Sequence, residues 1–340
     1  MRNRWWSLSV LIAILVAGLS LSAFAAEDPL PSWNEGPAKQ AIIKFVQDTT
    51  DKASPNYVPP EERLATFDQD GTLWVEQPIY TQIVFALDRV VELAPKHPEW
   101  NKKQPFKAVI ARDRAAMAKF SDKDLEKIMV ATHTGMSTDE FGPIAKAWLE
   151  RAKDSRWKRP YTELIYQPML EVMQYLRDNG YTTYIVTGGG QEFVRVYADK
   201  VYGIPREHII GSAIKTKFTY AKDGKPILMR PPKLLLNDNF SGKPEDIYLF
   251  TGRSPQAAFG NSTGDREMLE YSHAGGGATL VMLVLHDDAE REYAYGPAQG
   301  LPASKVGTFT QALYDEATKN GWSVISMKKD WKVIFPFDTK

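Results

Sequence analysis

Apolar residues along this chain fall into runs and stripes that separate strands from helices. Leu64-Ala65-Thr66-Phe67 is a continuous run with the length of a buried parallel strand, and it breaks off at Asp68. Residues 181–186 and 278–285 read the same way, and residues 256–259 form a shorter version. Between the first two strands the spacing turns helical. Residues 79–93, 106–120, 121–132 and 138–153 follow one another with few β-branched alternations, punctuated by Pro78, Pro95, Pro98 and Pro105. Residues 76–160 are therefore expected to be a mostly helical insertion into an α/β core formed by residues 26–75 and 161–340. Ala38, Ile42, Phe45 and Val46 share one face of a helix expected over residues 37–53, and a further helix over 168–179 stops at Gly180. Residues 209–217 and 227–230, separated by Asp223-Gly224, are expected to form a hairpin on the surface of the core. Past residue 286 the pattern is mixed.

The first 25 residues change the picture of where the chain works. Arg2 and Arg4 precede a mostly apolar stretch, and Ala23-Phe24-Ala25 fits a small-residue cleavage site, the pattern of a secretory signal peptide. An uncleaved membrane anchor is the alternative, because the stretch is nearly long enough to span a bilayer. Removal of Arg2 and Arg4 from the 42 basic residues leaves 40 against 42 acidic ones, so no nucleic acid or anionic membrane partner is indicated. With no cysteine the chain forms no disulfide, and its stability must come from a core. Export without thiols fits a bacterial periplasm.

Candidate chemistry gathers where strands end. Asp68 and Asp70 alternate, so both carboxyl groups leave the first strand in one direction, and Gly71 lets the chain turn. Like charges this close are costly unless a cation or a proton lies between them. In open α/β sheets ligands bind beyond the carboxyl ends of the strands. An Asx turn accounts for Asp70-Gly71 but not for Asp68. Thr187-Gly188-Gly189-Gly190 follows the second strand and opens a helix expected through residue 202, where backbone amides can hold an oxyanion. Phe193 stands where a dinucleotide fingerprint needs a third glycine, so that class is excluded. Lys243 begins another helix, and Gly260-Asn261-Ser262-Thr263-Gly264-Asp265 follows the short strand.

Taken in order, these stretches resemble the haloacid dehalogenase superfamily, and within it the phosphoserine phosphatase-like branch. Asp68-Gln69-Asp70-Gly71-Thr72 and Thr187-Gly188-Gly189 carry the likeness most specifically. The resemblance implies a Rossmann-like parallel sheet with a helical cap, and a Mg²⁺-dependent phosphomonoester hydrolase. By that resemblance Asp68 is the nucleophile that forms an aspartyl phosphate. Asp70 is the acid and then the base. Thr187, Gly188 and Gly189 bind the phosphoryl oxygens, and Lys243 neutralises charge. Mg²⁺ is expected at Asp68 and the Asp70 carbonyl, with Asn261 and Asp265 completing the site. Asn261 replaces the family's usual aspartate, which predicts weaker Mg²⁺ binding. The second aspartate also argues against dehalogenation, since a halide leaving group needs no proton.

For the substrate, a small organic phosphate, Glu76 and Arg114 are the candidates. Glu76 lies one residue closer to the nucleophile than the family spacing, and Arg114 with Arg112 either meets an anionic group or lines a solvated helix face. Trp74, Tyr80 and Trp148 either border an organic cation or belong to the core, and His133 either faces the site or does not act. Two rivals stay open: a phosphotransferase to an acceptor alcohol, and a non-catalytic phosphoester-binding protein.

Overall fold

The computed structural model describes residues 28–339, so the expected signal peptide lies outside the described residues. Strands β1 (Leu64–Phe67), β2 (Thr182–Gly190), β3 (Ile209–Ile214), β4 (Lys217–Tyr220), β5 (Pro226–Met229), β6 (Leu234–Leu236), β7 (Ala257–Gly260), β8 (Leu280–Leu285) and β9 (Ser323–Ser326) follow in chain order. Seven of them form one sheet in the order β6-β3-β2-β1-β7-β8-β9, parallel throughout except where β6 joins β3. The four continuous apolar runs are its centre, as burial on both faces requires: β1, β7 and β8 are buried at every position. Phe67 lies opposite Ile185 on one side and Phe259 on the other, and the Phe67 and Phe259 rings stack at 4.5 Å. This register ends β1 and β7 close to level, while β2 runs on past them to Gly190. The residues that follow therefore emerge at one edge, where the strand order reverses direction on either side of β1.

Between β1 and β2 come the helices Thr81–Leu93, Asp122–His133 and Thr138–Arg151, with shorter turns, and then the helix Gln167–Asp178 that leads into β2. Capping boxes of Ser121 with Asp124 and Ser137 with Glu140 start the second and third. The insertion has a small core of its own, centred on Ala86, Val90, Trp100, Val109 and Ile128. It also meets the sheet domain through aromatic rings: Phe85 packs edge-on to Phe141 and Trp148, and 5.3 Å from Phe193. Among the described residues no helix is long and apolar enough to cross a membrane.

Three elements differ from the sequence expectation. Strand β2 continues through the glycines to Gly190, with a register shift between Thr187 and Gly190 against β3, and the helix after it breaks into Gln191–Val194 and Ala198–Tyr202. The Gly188 carbonyl accepts the Ser212 hydroxyl at 2.9 Å, which keeps the segment extended. Residues 209–214 belong to the main sheet, and the hairpin pairs β4 with β5 instead. That hairpin does not rest on the sheet domain alone. Met229 bridges Ser137, and Gly135 donates its N–H to the Arg230 carbonyl at 2.8 Å, which joins the hairpin to the helical insertion.

Candidate active site

The site begins at the end of β1. Asp68 receives its backbone hydrogen bond by donating to the Phe259 carbonyl, still in sheet register, and Gly71 then turns with φ of 81°. A side chain at Gly71 would start 2.1 Å from Asn261 Nδ2, so glycine is required twice over. The turn places the Trp74 indole N–H 2.6 Å from Asp70 Oδ1, and Trp74 stacks on Tyr197 at 4.9 Å. Trp74 thus orients Asp70.

Lys243 reaches the same place from the start of the Gly242–Thr251 helix. Gly242 is needed there because a Cβ would lie 1.9 Å from the Asn237 carbonyl oxygen. The Lys243 ammonium donates to Asp68 Oδ1 at 2.5 Å, to Asp265 Oδ1 at 2.7 Å and to the Val186 carbonyl at 2.9 Å, which uses all three donors. Burial lowers the pKa of Lys243, but the Asp265 and Asp68 carboxylates outweigh it and hold the ammonium above its ordinary range. Burial, then the Asp265 charge, push the Asp68 carboxyl above its usual value, with Lys243 opposing them. Burial also pushes Asp70 up to about 6, against the Trp74 hydrogen bond. The two neighbouring carboxyl groups thus differ in partner, Asp68 on the Lys243 ammonium and Asp70 on the Trp74 indole.

Asp68 Oδ2 is less committed. The Thr72 hydroxyl lies 3.3 Å from it and 3.3 Å from Asn261 Oδ1, so both oxygens look toward one point. Among the described residues no three His, Cys, Asp or Glu side chains cluster as a metal cage. The all-oxygen set of Asp68 and Asn261 nonetheless suits a hard cation that takes one or two protein carboxylates and keeps its waters. Asp265 differs from its expected role. Its Oδ1 accepts from Lys243, and its Oδ2 accepts the backbone N–H groups of Asn261 and Ser262, each at 3.0 Å, so it positions the lysine and the β7 loop.

Thr187 is buried, and its hydroxyl accepts the Gly189 N–H at 3.0 Å; with Gly188 and Gly189 it lines the same cavity of about 610 Å³ as Asp68, Asp70 and Lys243. Glu76 also lines this cavity, though it is almost wholly buried. It accepts from Asn261 Nδ2 at 2.7 Å and from the Tyr295 hydroxyl at 2.8 Å, and burial holds its carboxyl well above the ordinary range. Arg114 is exposed and does not line the cavity, so the structure separates it from the other candidates. Trp148 is a core ring bonded to Asp88.

Two contributors were passed over in the sequence. Gln82 Oε1 accepts the Gly190 N–H at 2.7 Å, which leaves its NH₂ facing His133 Nε2 at 3.1 Å. His133 Nε2 is then the acceptor, so its proton sits on Nδ1, 2.8 Å from the Thr132 hydroxyl. Burial and the Arg230 charge push His133 down to about 3, so the ring is neutral. The second is His286, past β8, which donates from Nε2 to the Gly71 carbonyl at 2.8 Å while Nδ1 faces Glu292 at 3.1 Å.

No curated protein sequence matches the chain. Among solved structures, a functionally unknown protein from Anaerococcus prevotii DSM 20548 is similar in fold, at 15% identity and TM-score 0.51, covering 77% of this chain and 89% of that one. A protein of unknown function from Bordetella pertussis Tohama I is 15% identical with TM-score 0.45, over 78% of this chain and 98% of that one. A phosphoserine phosphohydrolase-like protein from Francisella tularensis subsp. tularensis SCHU S4 is 19% identical with TM-score 0.35, over 66% and 88%. The family profile of haloacid dehalogenase-like hydrolases matches residues 65–270, from the second residue of β1 to the helix beyond Asp265, and the chain belongs to that family.

Proposed function

We propose that this chain is a Mg²⁺-dependent phosphomonoester hydrolase, of the phosphoserine phosphatase-like kind, acting through an aspartyl phosphate. The observation that carries the reading is the convergence of Asp68, Asp70, Thr187 and Lys243 on one cavity. Asp68 attacks phosphorus and the P–O bond to the alcohol breaks, with Asp70 giving its proton to the departing oxygen. Water then attacks the phosphorus of the acyl phosphate, Asp70 takes the water's proton, and inorganic phosphate leaves with Asp68 restored. The Lys243 ammonium, held against Asp68, offsets charge as it builds on the phosphoryl group, and the Thr187 hydroxyl, oriented by the Gly189 amide, meets the phosphoryl oxygens with the Gly188 amide. The Asp68 carboxylate, the Asp70 backbone carbonyl and Asn261 Oδ1 would hold Mg²⁺, which when bound supplies positive charge against the phosphoryl group. The helical insertion and the β4–β5 hairpin together act as the cap over the site. The signal-like residues 1–25 and the lack of cysteine support work in the periplasm.

Residues 26–340 assayed on a panel of phosphomonoesters, with Mg²⁺ and with chelator, test this. Metal-dependent phosphate release is expected, and Asp68→Asn should lower kcat by on the order of 10⁴-fold. Full activity in that variant, or no release from any ester, overturns the reading.

A further inference from the structure

Arg230 is a buried cation that the proposed chemistry does not use. It follows β5, is 4% exposed, and lines the cavity with Asp68 and Lys243. Its place is over-determined. The backbone N–H donates to the Met136 carbonyl at 2.9 Å, Nε donates to the His133 carbonyl at 2.9 Å, and the guanidinium carbon lies 4.2 Å above the Phe141 ring. These contacts fix the plane of the guanidinium and leave Nη1 and Nη2 without a hydrogen-bond partner among the described residues, with accessible surface on the cavity side.

A buried charge left in this condition is unfavourable unless something pairs with it. The other buried cations have partners. Lys243 has Asp68 and Asp265, Lys39 has Asp28 and Glu35, and Arg63 spends Nε and Nη1 on two carbonyls. No carboxylate among the described residues is hydrogen-bonded to Arg230: His133 is neutral, and Glu192, whose charge acts on Arg230 through space, spends its own ion pair on Arg195 at 2.6 Å. At the cavity rim, Glu126 is exposed, and so are Lys233 and Lys305.

Resting on the phosphatase reading above, we propose that Arg230 receives a second oxyanion, a carboxylate or a second phosphoryl group, on the alcohol side of the substrate. Apolar side chains among the walls, Ile83, Met129 and Phe193 included, would cover the carbon chain between the two anionic ends. Two parallel N–H groups of a guanidinium match either oxyanion, and Phe141 keeps the fork pre-oriented.

The test uses n-alkyl phosphates, ω-carboxyalkyl phosphates and alkanediol bisphosphates of matched chain lengths, with kcat/KM on the wild-type chain and binding calorimetry on Asp68→Asn. At the best length a dianionic series should exceed the alkyl series by about tenfold or more in both readouts. The ratio should fall toward one in Arg230→Gln and be partly restored in Arg230→Lys. Because the ratio compares substrates on one preparation, a loss of folded protein cancels from it. Preference for the carboxylate or the bisphosphate series names the oxyanion. Turnover of all series without preference, a preference that survives Arg230→Gln, or an equal loss on every series overturns the inference and leaves the phosphatase reading standing. Failure to bind or hydrolyse any series removes both.

Discussion

The floor and the roof of the cavity are built on opposite principles. On the floor the reacting charges are interlocked: Lys243 lies between Asp68 and Asp265, and Asp265 is tied down by two backbone amides. On the roof, aromatic and aliphatic side chains stand among polar ones, the one histidine is neutral, and Arg230 has no hydrogen-bonded carboxylate among the described residues, Glu192 acting on it only through space. A floor of that kind is pre-organised for one charge pattern and tolerates no editing, whereas a mixed wall around a single buried cation can be reshaped residue by residue. Chemistry belongs to the first region and choice of substrate to the second.

Removing the floor's cation should give the largest effect. In Lys243→Met, Asp68 and Asp265 lose their common partner, and leaving buried charges unpaired costs about 3–5 kcal/mol. The Asp68 carboxyl, which burial already raises, then loses the cation that opposes that rise, so in the native state it binds a proton that the unfolded chain releases. The stability loss should therefore be smallest below about pH 4, the unfolded carboxyl range, and grow as pH rises. Thermal melts of both proteins between pH 4 and 8 check this; a pH-independent difference would mean the cost is packing alone.

Asp70 comes next. With its carboxyl pushed up to about 6, the protonated acid is lost above that pH, and kcat/KM for alkyl phosphates should fall by up to tenfold per unit on the alkaline side. Weakening the Trp74 bond should move that limb upward, because the bond favours the ionised form. A profile in Trp74→Phe that leaves the limb in place would show that another group sets it.

Much of the floor was legible in the sequence because each piece sits at a strand end, where a short buried run, a turn glycine and an acid or amide coincide. Asp68 and Asn261 follow two adjacent strands and Thr187 ends the apolar run of a third, and that adjacency needs no long-range information beyond the strand runs. Lys243 was readable through Gly242, whose missing side chain lets the helix start against Asn237. The roof was not legible. Gln82 and Arg230 lie on elements whose apolar spacing reports only their packing, and nothing local says that a hairpin after β3 folds over onto a helical insertion around residue 135. The role of Asp265 was misjudged for a related reason: its two amide partners are backbone groups, which no side-chain pattern announces. Past β8, Tyr295 and Gly307 close around Glu76 from irregular chain that carries no period at all.

Glu76 changes what should be expected of Asn261. Judged from sequence alone, Asn261→Asp restores an acidic ligand and should tighten Mg²⁺. In the structure that new carboxylate would face Glu76 across 2.7 Å, and two acids sharing one buried site do not both ionise. Asn261→Asp alone should therefore change the Mg²⁺ concentration for half-maximal activity by less than about threefold. The double variant with Glu76→Gln should lower it by about tenfold, the effect of one added charge worth about 1.4 kcal/mol. Equal tightening in the single and double variants would show that Glu76 does not govern the site.

The smallest effect should come from the seam between the two regions. Gln82 spans it, accepting the Gly190 N–H with its oxygen and giving an N–H to His133 with its nitrogen. Gln82→Leu keeps most of the volume but strands a partly buried backbone donor and a buried imidazole nitrogen, a loss of about 1–3 kcal/mol. Gln82→Glu keeps the acceptor for Gly190 and loses the donor for His133, so it should recover part of that stability. Because both contacts lie beside the glycine segment, and neither reaches Asp68 or Lys243, kcat/KM should drop by about tenfold or less, through KM more than kcat. A fall in kcat as large as that of a floor variant would mean that roof and floor are one unit, and that the division of labour drawn here is wrong.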